Sequence, residues 1–541
     1  MRMLVFYLLP SVLYLLSRIS ASAATQSAQV PVAPKWTRFE QSFKSSLPYA
    51  NPVQQATLQV TFISPSGKTN QVYGFWDGGK TWKVRFVPDE VGRWSFQTVC
   101  SDPLNRGLHN QKGGLVCTAA IKGSSFHQHG PVRISMDHRH FEYADGTPFF
   151  WLADTTWEGI HAAGPKDFAD YAAIRISQKF SVVQWSLPHG DPDRNQPAWT
   201  GTERINIHPE FFQRLETRLN TLGSAGLLSA IAPLIELNTG SGKSASQLPD
   251  DQAALLLRYV VARWNADPVA WLLIFEGDGR GITANRWKKV GQSVFGSCSH
   301  APVLLYTADT PWLLNEFRDQ LWVDAFCYQT LTDTSEDAAK WATSGPLSTE
   351  WRNEPARPII AFTPAENGVI EGANTRFSAD DVRRAAWWSL LLTPPAGISY
   401  SASGVLNWDT SVDASRIPLW RRSLFMAAAK QMSQLSYFMS DTQSWKLRPR
   451  SESVASQPGR VSPRSFVAAA ATDNNSFTTF YTPQERTLDV VTKEMPRSPS
   501  ISWLNPRTGA TNAAVAVVGE ASCQLPTPDP GDWLLIMRAG K

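Results

Sequence analysis

The chain has 541 residues, 43% of them hydrophobic and 18% charged, with 34 Gly, 37 Pro and 22 Trp. At roughly 100–200 residues per domain this is enough chain for about three cores, and Gly and Pro near their usual ~7% and ~5% exclude a collagenous or low-complexity protein. A charged fraction below the usual ~25% argues against disorder or a long coiled coil, and a formal net charge of +4 is too small to imply a nucleic-acid partner.

The first residues, Met1-Arg2-Met3, lead into an apolar run from Leu4 to Leu16 and then to the small-residue triplet Ala21-Ser22-Ala23. This pattern predicts a secretory signal peptide over residues 1–23, and hence a secreted or periplasmic protein. The run is shorter than the ~20 residues a membrane span needs, and Pro10 interrupts it, so no span is expected after cleavage. Loss of Arg2 and Arg18 with the signal takes the net charge from +4 to +2.

Residues 33–122 read as an immunoglobulin-like β-sandwich. Strand signals at Ala56–Ile63, Gln71–Trp76, Trp82–Pro88 and Gly92–Cys100 are punctuated by Ser64-Pro65-Ser66-Gly67 and Asp77-Gly78-Gly79 turns. Cys100 and Cys117 fall at the ends of neighbouring strand-like segments. They are either a disulfide or two buried thiols, and the five cysteines fit no zinc spacing.

From residue 130 to 438 strands alternate with helices. Apolar strand candidates are Phe149–Ala153, Ser181–Ser186, Leu228–Ile235, Ala270–Phe275, Val303–Tyr306, Val323–Cys327, Pro358–Phe362 and Ile398–Ser401. Helical stretches between them include Asp167–Gln178, Pro209–Ala225, Asp251–Asn265, Trp312–Leu321 and Ala379–Leu392, and Pro418–Leu435 closes the series. Eight such units predict an α/β fold of the (β/α)8 TIM-barrel class, flanked by β-sandwiches on both sides. Residues 444–541 return to short strands and predict the second sandwich, with 450–464 as a loop.

In such a barrel the reactive groups stand at the C-terminal strand ends. The first strand ends Asp154-Thr155-Thr156-Trp157-Glu158, and the second passes Trp185 to His189. The third reaches Glu236, the fourth Glu276-Gly277-Asp278, the sixth Gln329 and the seventh Glu366. Hydrolysis of a glycosidic bond needs one carboxylic acid to protonate the leaving oxygen and one carboxylate to attack or to activate water. Asp278 and Glu276 on the fourth strand and Glu366 on the seventh are the candidate catalytic set. Asp154, Trp157, Trp185, His189, Glu236 and Gln329 are candidate sugar contacts, and Trp199 is a further indole for a stacking platform. Caps, turns and core packing account for the same residues equally simply at Asp154, Trp157 and Trp185. His189 has no second ligand at metal spacing, so no metal and no cofactor are expected.

The stretch Arg139-His140-Phe141-Glu142-Tyr143-Ala144-Asp145-Gly146-Thr147-Pro148-Phe149-Phe150-Trp151-Leu152-Ala153-Asp154-Thr155-Thr156-Trp157 resembles the opening strand of the apiosidase-like glycoside hydrolases. So do Asn206-Ile207-His208-Pro209-Glu210-Phe211-Phe212, the segment from Trp271 to Asp278, and Asp381-Val382-Arg383-Arg384-Ala385-Ala386-Trp387-Trp388-Ser389. Trp503-Leu504-Asn505-Pro506-Arg507-Thr508-Gly509 and Asp532-Trp533 resemble a β-module named for collagen binding. The resemblance implies a barrel acting on pectin-type plant polysaccharides, with Asp278 as acid/base after a glycine pair whose first member is here Glu276. Where the family reads Gly-Glu-Pro-X-Tyr-Glu, this chain has Phe362-Thr363-Pro364-Ala365-Glu366-Asn367. Both family glutamates thus fall on Thr363 and Asn367, and Glu366 takes the tyrosine position. Two readings follow: a secreted glycoside hydrolase, or a non-catalytic carbohydrate-binding or surface-adhesion protein on a degenerate barrel.

Overall fold

The structure, a computed structural model, describes residues 30–191, 196–235, 247–275, 280–307, 314–369 and 376–540. The proposed signal segment lies outside them. Among the described residues no helix is long and apolar enough to cross a membrane.

The N-terminal strands hydrogen-bond into one seven-stranded sheet in the order Val32–Pro34, Lys112–Thr118, Gly92–Cys100, Leu58–Ile63, Thr69–Trp76, Thr81–Phe86, Phe39–Lys44. Phe43 and Phe96 sit four strands apart in that order, which in a flat sheet would separate them by ~19 Å. Their ring centroids are 6.1 Å apart, so the sheet folds over on itself and encloses one aromatic core. The two faces of a sandwich are therefore present, formed from one continuous ladder. A Cys100–Cys117 disulfide is not. Gly92 pairs with Cys117 across the antiparallel ladder, and Cys100 lies eight residues further along its strand, a separation of ~25 Å. Both are buried free thiols.

The middle of the chain closes into an eight-stranded parallel barrel. Its strands are β1 (Trp151–Thr155), β2 (Val182–Ser186), β3 (Leu228–Ala232), β4 (Val269–Phe275), β5 (Val303–Thr307), β6 (Ala325–Gln329), β7 (Ile359–Phe362) and β8 (Gly397–Tyr400). The principal helices that follow them are α1 (Pro165–Ser177), α2 (Pro209–Ala225), α3 (Asp250–Trp264), α4 (Gly281–Phe295), α5 (Leu314–Phe317), α6 (Glu336–Ser344), α7 (Ala379–Leu392) and α8 (Ala427–Asp441). Both faces of parallel barrel strands are covered, which is why they read as apolar runs. The inner set includes Trp151, Ala153, Leu228, Ala230, Ala232, Leu272, Ile274, Leu304, Cys327 and Ile360, while Leu152, Val183, Trp185, Ile231, Leu273, Leu305 and Tyr400 pack outward on the helices. Phe141, on a small sheet below the barrel, packs against Trp151 at 5.1 Å between ring centroids and helps to fill the N-terminal end.

Local chemistry sets the helix ends. Pro165 and Pro209 open α1 and α2 at positions that need no N–H, and Gly226 closes α2 with φ 90°. Ser378 and Asp381 form a reciprocal capping box on α7. The single helix expected over Pro418–Leu435 is in fact two, Leu419–Ser423 and α8, because Met426 adopts an extended backbone. The break is bound from elsewhere in the fold: Gln178 Nε2 donates to Leu424 O at 2.7 Å.

Both flanking modules are docked by charge. Arg85 bonds Glu40 and, on α2, Glu216, while Arg263 on α3 bonds Glu216 and Asp77 at 2.7 and 2.8 Å. The C-terminal module has a six-stranded and a three-stranded sheet, Leu447–Pro449 to Trp533–Arg538 and Thr487–Val491 to Ser522–Pro526 among their strands. It is joined through Arg383 of α7, whose guanidinium forks onto Asp532 at 2.6 and 2.8 Å.

Candidate active site

The C-terminal mouth is built from alternating side chains of the eight strands. Beneath it, Thr155 donates to Gln184 Oε1 and Gln184 Nε2 donates to Ser399 Oγ, both at 2.8 Å, tying β1, β2 and β8 together inside the barrel. Above this bridge Trp157 is half-buried, and its carbonyl accepts from Ser186 Oγ at 2.8 Å. On the other side Tyr306 donates to Gln329 Oε1 at 3.1 Å and stacks on Phe362 with ring centroids 4.2 Å apart. The rim thus presents an indole and an amide, groups that stack on a sugar ring and hydrogen-bond its hydroxyls, with the buried Tyr306 phenol fixing the amide from beneath.

The structure separates the predicted site residues into three sets. Trp157 and Gln329 are at the mouth, and His189 lies at its edge with its ring 4.3 Å from that of Trp199. Glu236, Glu276 and Asp278 lie outside the described residues.

The third set faces the helix layer. Asp154 has no exposed surface; its Oδ2 accepts from Arg175 Nε at 2.6 Å and Tyr171 Oη at 2.7 Å. Burial alone would lower the Arg175 pKa, but Asp154, with Tyr171 and Tyr400, holds it up. A carboxylate so enclosed is the buried counter-ion of Arg175. Trp185 is fully buried and packs edge-on against Trp264 at 5.9 Å, and Trp199 is buried as well, so neither indole offers a stacking face. Glu366 is buried, with Oε2 accepting from Tyr400 Oη at 2.7 Å and Oε1 from the Ala428 backbone N–H at 3.0 Å. Ala428 is in the first turn of α8, so the carboxylate caps that helix and complements its positive end.

One carboxyl was passed over by sequence reasoning. Glu158 follows Trp157 on the C-terminal rim, and burial pushes its pKa up from the ordinary carboxylate value, with no offsetting cation among the described residues. The signal was its place two residues beyond Thr156 at a strand end, beside an indole. Among the described residues no group of three or more His, Cys, Asp or Glu side chains is placed to hold a metal ion.

A closed parallel barrel carried between two β-modules is a fold this chain shares with solved structures described as glycoside hydrolases. The chain belongs to the apiosidase-like family, whose catalytic-domain model matches residues 135–446. A domain described only as of unknown function matches residues 32–101, and a "putative collagen-binding domain of a collagenase" matches 454–538. Among solved structures, a "putative glycoside hydrolase" from Bacteroides vulgatus aligns at 16% identity and TM-score 0.67, over 94% of this chain and all of its own. A family 5 glycoside hydrolase from the same organism aligns at 16% identity and TM-score 0.63, over 78% of this chain and 95% of its own. A third, described as a glycoside hydrolase, aligns at 17% identity and TM-score 0.66, over 77% and 99%. At these identities the likeness is one of fold. No curated protein matches the chain.

Proposed function

We propose that the protein is an exported glycoside hydrolase acting on a plant-type polysaccharide, pectic or related, with its chemistry at the C-terminal mouth of the barrel. Asp278 is the acid/base that protonates the leaving oxygen, and Glu276 is the opposing carboxylate that attacks the anomeric carbon or activates water. Glu366, the alternative partner, has both oxygens committed to Tyr400 and Ala428, which moves the second carboxylate to Glu276. Trp157, Gln329, His189 and Glu236 are the proposed sugar contacts, and Glu158 is a further carboxyl proposed for the site.

The observation that carries this reading is the chemistry of the mouth in a barrel of this family: an indole and an amide at its rim, over a lumen plugged from below. A second reading, binding without turnover, is favoured by one departure alone: the two glutamates of the family's seventh-strand pattern are here Thr363 and Asn367. A screen of the purified protein on pectic and hemicellulosic glycans, read as released reducing ends, separates the two. Turnover is expected on at least one glycan. Retention of a glycan without any turnover would favour the binding reading.

A further inference from the structure

The N-terminal module touches both ends of the barrel. At the base, Arg38 pairs with Asp267, just before β4, at 2.5 Å. The other contact is the one-turn helix Pro52–Gln55 with Asn51 ahead of it, which lies against the loop between β2 and α2 and against the start of α3. Helices that follow barrel strands begin on the C-terminal face, so this contact is on the side of the mouth. Val53 of that helix, with Tyr73 and Phe75 of the module, belongs to the apolar cluster of the barrel helices and not to the module's own core.

Beyond residue 196 the loop after β2 holds only two-residue strand pairs, so its buried backbone groups need partners from elsewhere. Ile205 has no exposed surface. Its N–H donates to Gln252 Oε1 of α3 at 2.9 Å, and its carbonyl accepts from Asn51 Nδ2 at 2.9 Å and Gln54 Nε2 at 3.1 Å. Asn51 also donates to Asn206 Oδ1, and Gln54 to Gln252 Oε1, both at 2.6 Å. An asparagine ahead of a helix ordinarily caps it; the Asn51 side chain makes no capping bond and is turned to the loop instead.

The grip is passed on over a short distance. Trp199 pairs with Ile207 and Thr200 with Asn206, so Ile205 stands in the turn of a small hairpin. The start of that hairpin meets His189: the Ala198 N–H donates to His189 O at 2.6 Å, and the buried Trp199 indole stands edge-on to the His189 ring, with centroids 4.3 Å apart. A ligand contact is productive only when held to about 0.5 Å, and a loop reaches that precision when groups outside it brace it. We propose that the N-terminal module is a positioning element of the mouth, in which Asn51 and Gln54 hold the loop after β2 at Ile205 and thereby set His189 toward sugar. This gives a role to the domain matched at residues 32–101. That His189 meets sugar rests on the function proposed above; the clamp on its loop does not.

The test compares the full chain with Asn51→Ala/Gln54→Ala, His189→Ala and Arg38→Gln variants. Val53, Tyr73 and Phe75 keep the module seated when the two amides are removed, and Asn51→Asp/Gln54→Glu, which keeps the shapes without the donors, is measured beside the alanine pair. Expected in both double variants is backbone hydrogen exchange at least tenfold faster across residues 198–208, with a shifted His189 imidazole resonance. An edge contact that binds substrate and transition state alike acts on KM, so on a hydrolysed glycan KM should rise at least fivefold with kcat within twofold of wild type. In a His189→Ala background the same changes should leave KM where His189→Ala alone puts it. Arg38→Gln loosens the same module at the base and should leave both the exchange of 198–208 and KM as in wild type. Wild-type exchange and resonance in the double variants overturn the proposal. So do the same changes in Arg38→Gln, an unaltered KM with a freed loop, or a full KM effect without His189. Absence of turnover on every glycan would overturn the enzymatic reading, and exchange with the His189 resonance would then decide the clamp alone.

Discussion

Asp154 is where a structural and a sugar-binding role make opposite forecasts. The residue is fully buried between β1 and α1, and its Oδ2 takes bonds from both Arg175 and Tyr171. Replacing it with alanine leaves the Arg175 guanidinium, itself without exposed surface, with only Gln178 and the Leu424 carbonyl as acceptors. Removing one partner of a buried pair costs about 3–5 kcal/mol, because the other charge remains in a medium that cannot solvate it. For a barrel of about 300 residues unfolding together, an unfolding entropy near 2.1 cal/mol/K per residue makes this a fall of roughly 5–8 °C in thermal midpoint. Calorimetry of Asp154→Ala measures that fall. Asp154→Leu combined with Arg175→Met should recover most of it, since an apolar pair of similar volume removes both buried charges. Turnover and glycan affinity per folded molecule should match wild type. A variant with an unchanged midpoint and abolished glycan binding would refute the reasoning, because it would put the carboxylate in contact with substrate.

Three further outcomes follow from the same reading of side-chain direction. Glu366→Gln keeps the shape but presents an amide N–H toward one of its two donors; it should cost about 1–3 kcal/mol in chemical denaturation and leave turnover within about twofold of wild type. A large loss of kcat without loss of stability would return Glu366 to the catalytic pair. Glu158, whose pKa is raised in the folded state, binds its proton more tightly there than in the unfolded chain, so its contribution to stability falls as pH rises from about 4.3 through the folded value. Glu158→Gln should therefore raise the thermal midpoint at pH 7 and leave it unchanged at pH 3.5, and an equal shift at both pH values would contradict the assignment. Arg383→Met leaves the buried Asp532 to Tyr481 and Arg507 and should loosen the C-terminal module by about 1–3 kcal/mol, seen as faster protease cleavage near residues 440–450; wild-type cleavage rates would show that the fork does not hold the module.

The barrel was legible because its strands are buried on both faces, and apolar runs bounded by turns locate them within two or three residues. The same property hid the direction of the side chains. When both faces are apolar, the alternation does not say which is the lumen, so Asp154 and Trp185 read as mouth residues by position while the structure turns them to the helices. The surroundings of Glu366 were hidden for a related reason. Its partners are Tyr400 on β8 and the first turn of α8, more than thirty and sixty residues away, and the break at Met426 that exposes the Ala428 N–H carries no glycine or proline to announce it. The choice between a Cys100–Cys117 disulfide and two buried thiols turned on register, that is on which residue of Gly92–Cys100 faces Cys117. The tryptophan excess now has a plainer meaning: Trp94, Trp151, Trp185, Trp199, Trp264, Trp271, Trp387, Trp388, Trp420, Trp503 and Trp533 are buried core, and Trp157 alone of the three indoles expected at the mouth stays half-exposed there.

The central claim is that this barrel hydrolyses a glycan through the fourth-strand carboxylates. Its most direct test is the kcat of wild type, Asp278→Asn and Glu366→Gln on whichever glycan the screen identifies. Loss of a general acid predicts a fall of about 10²–10⁴-fold for Asp278→Asn, with Glu366→Gln close to wild type. Wild-type turnover by Asp278→Asn, or a fall confined to Glu366→Gln, would contradict the account.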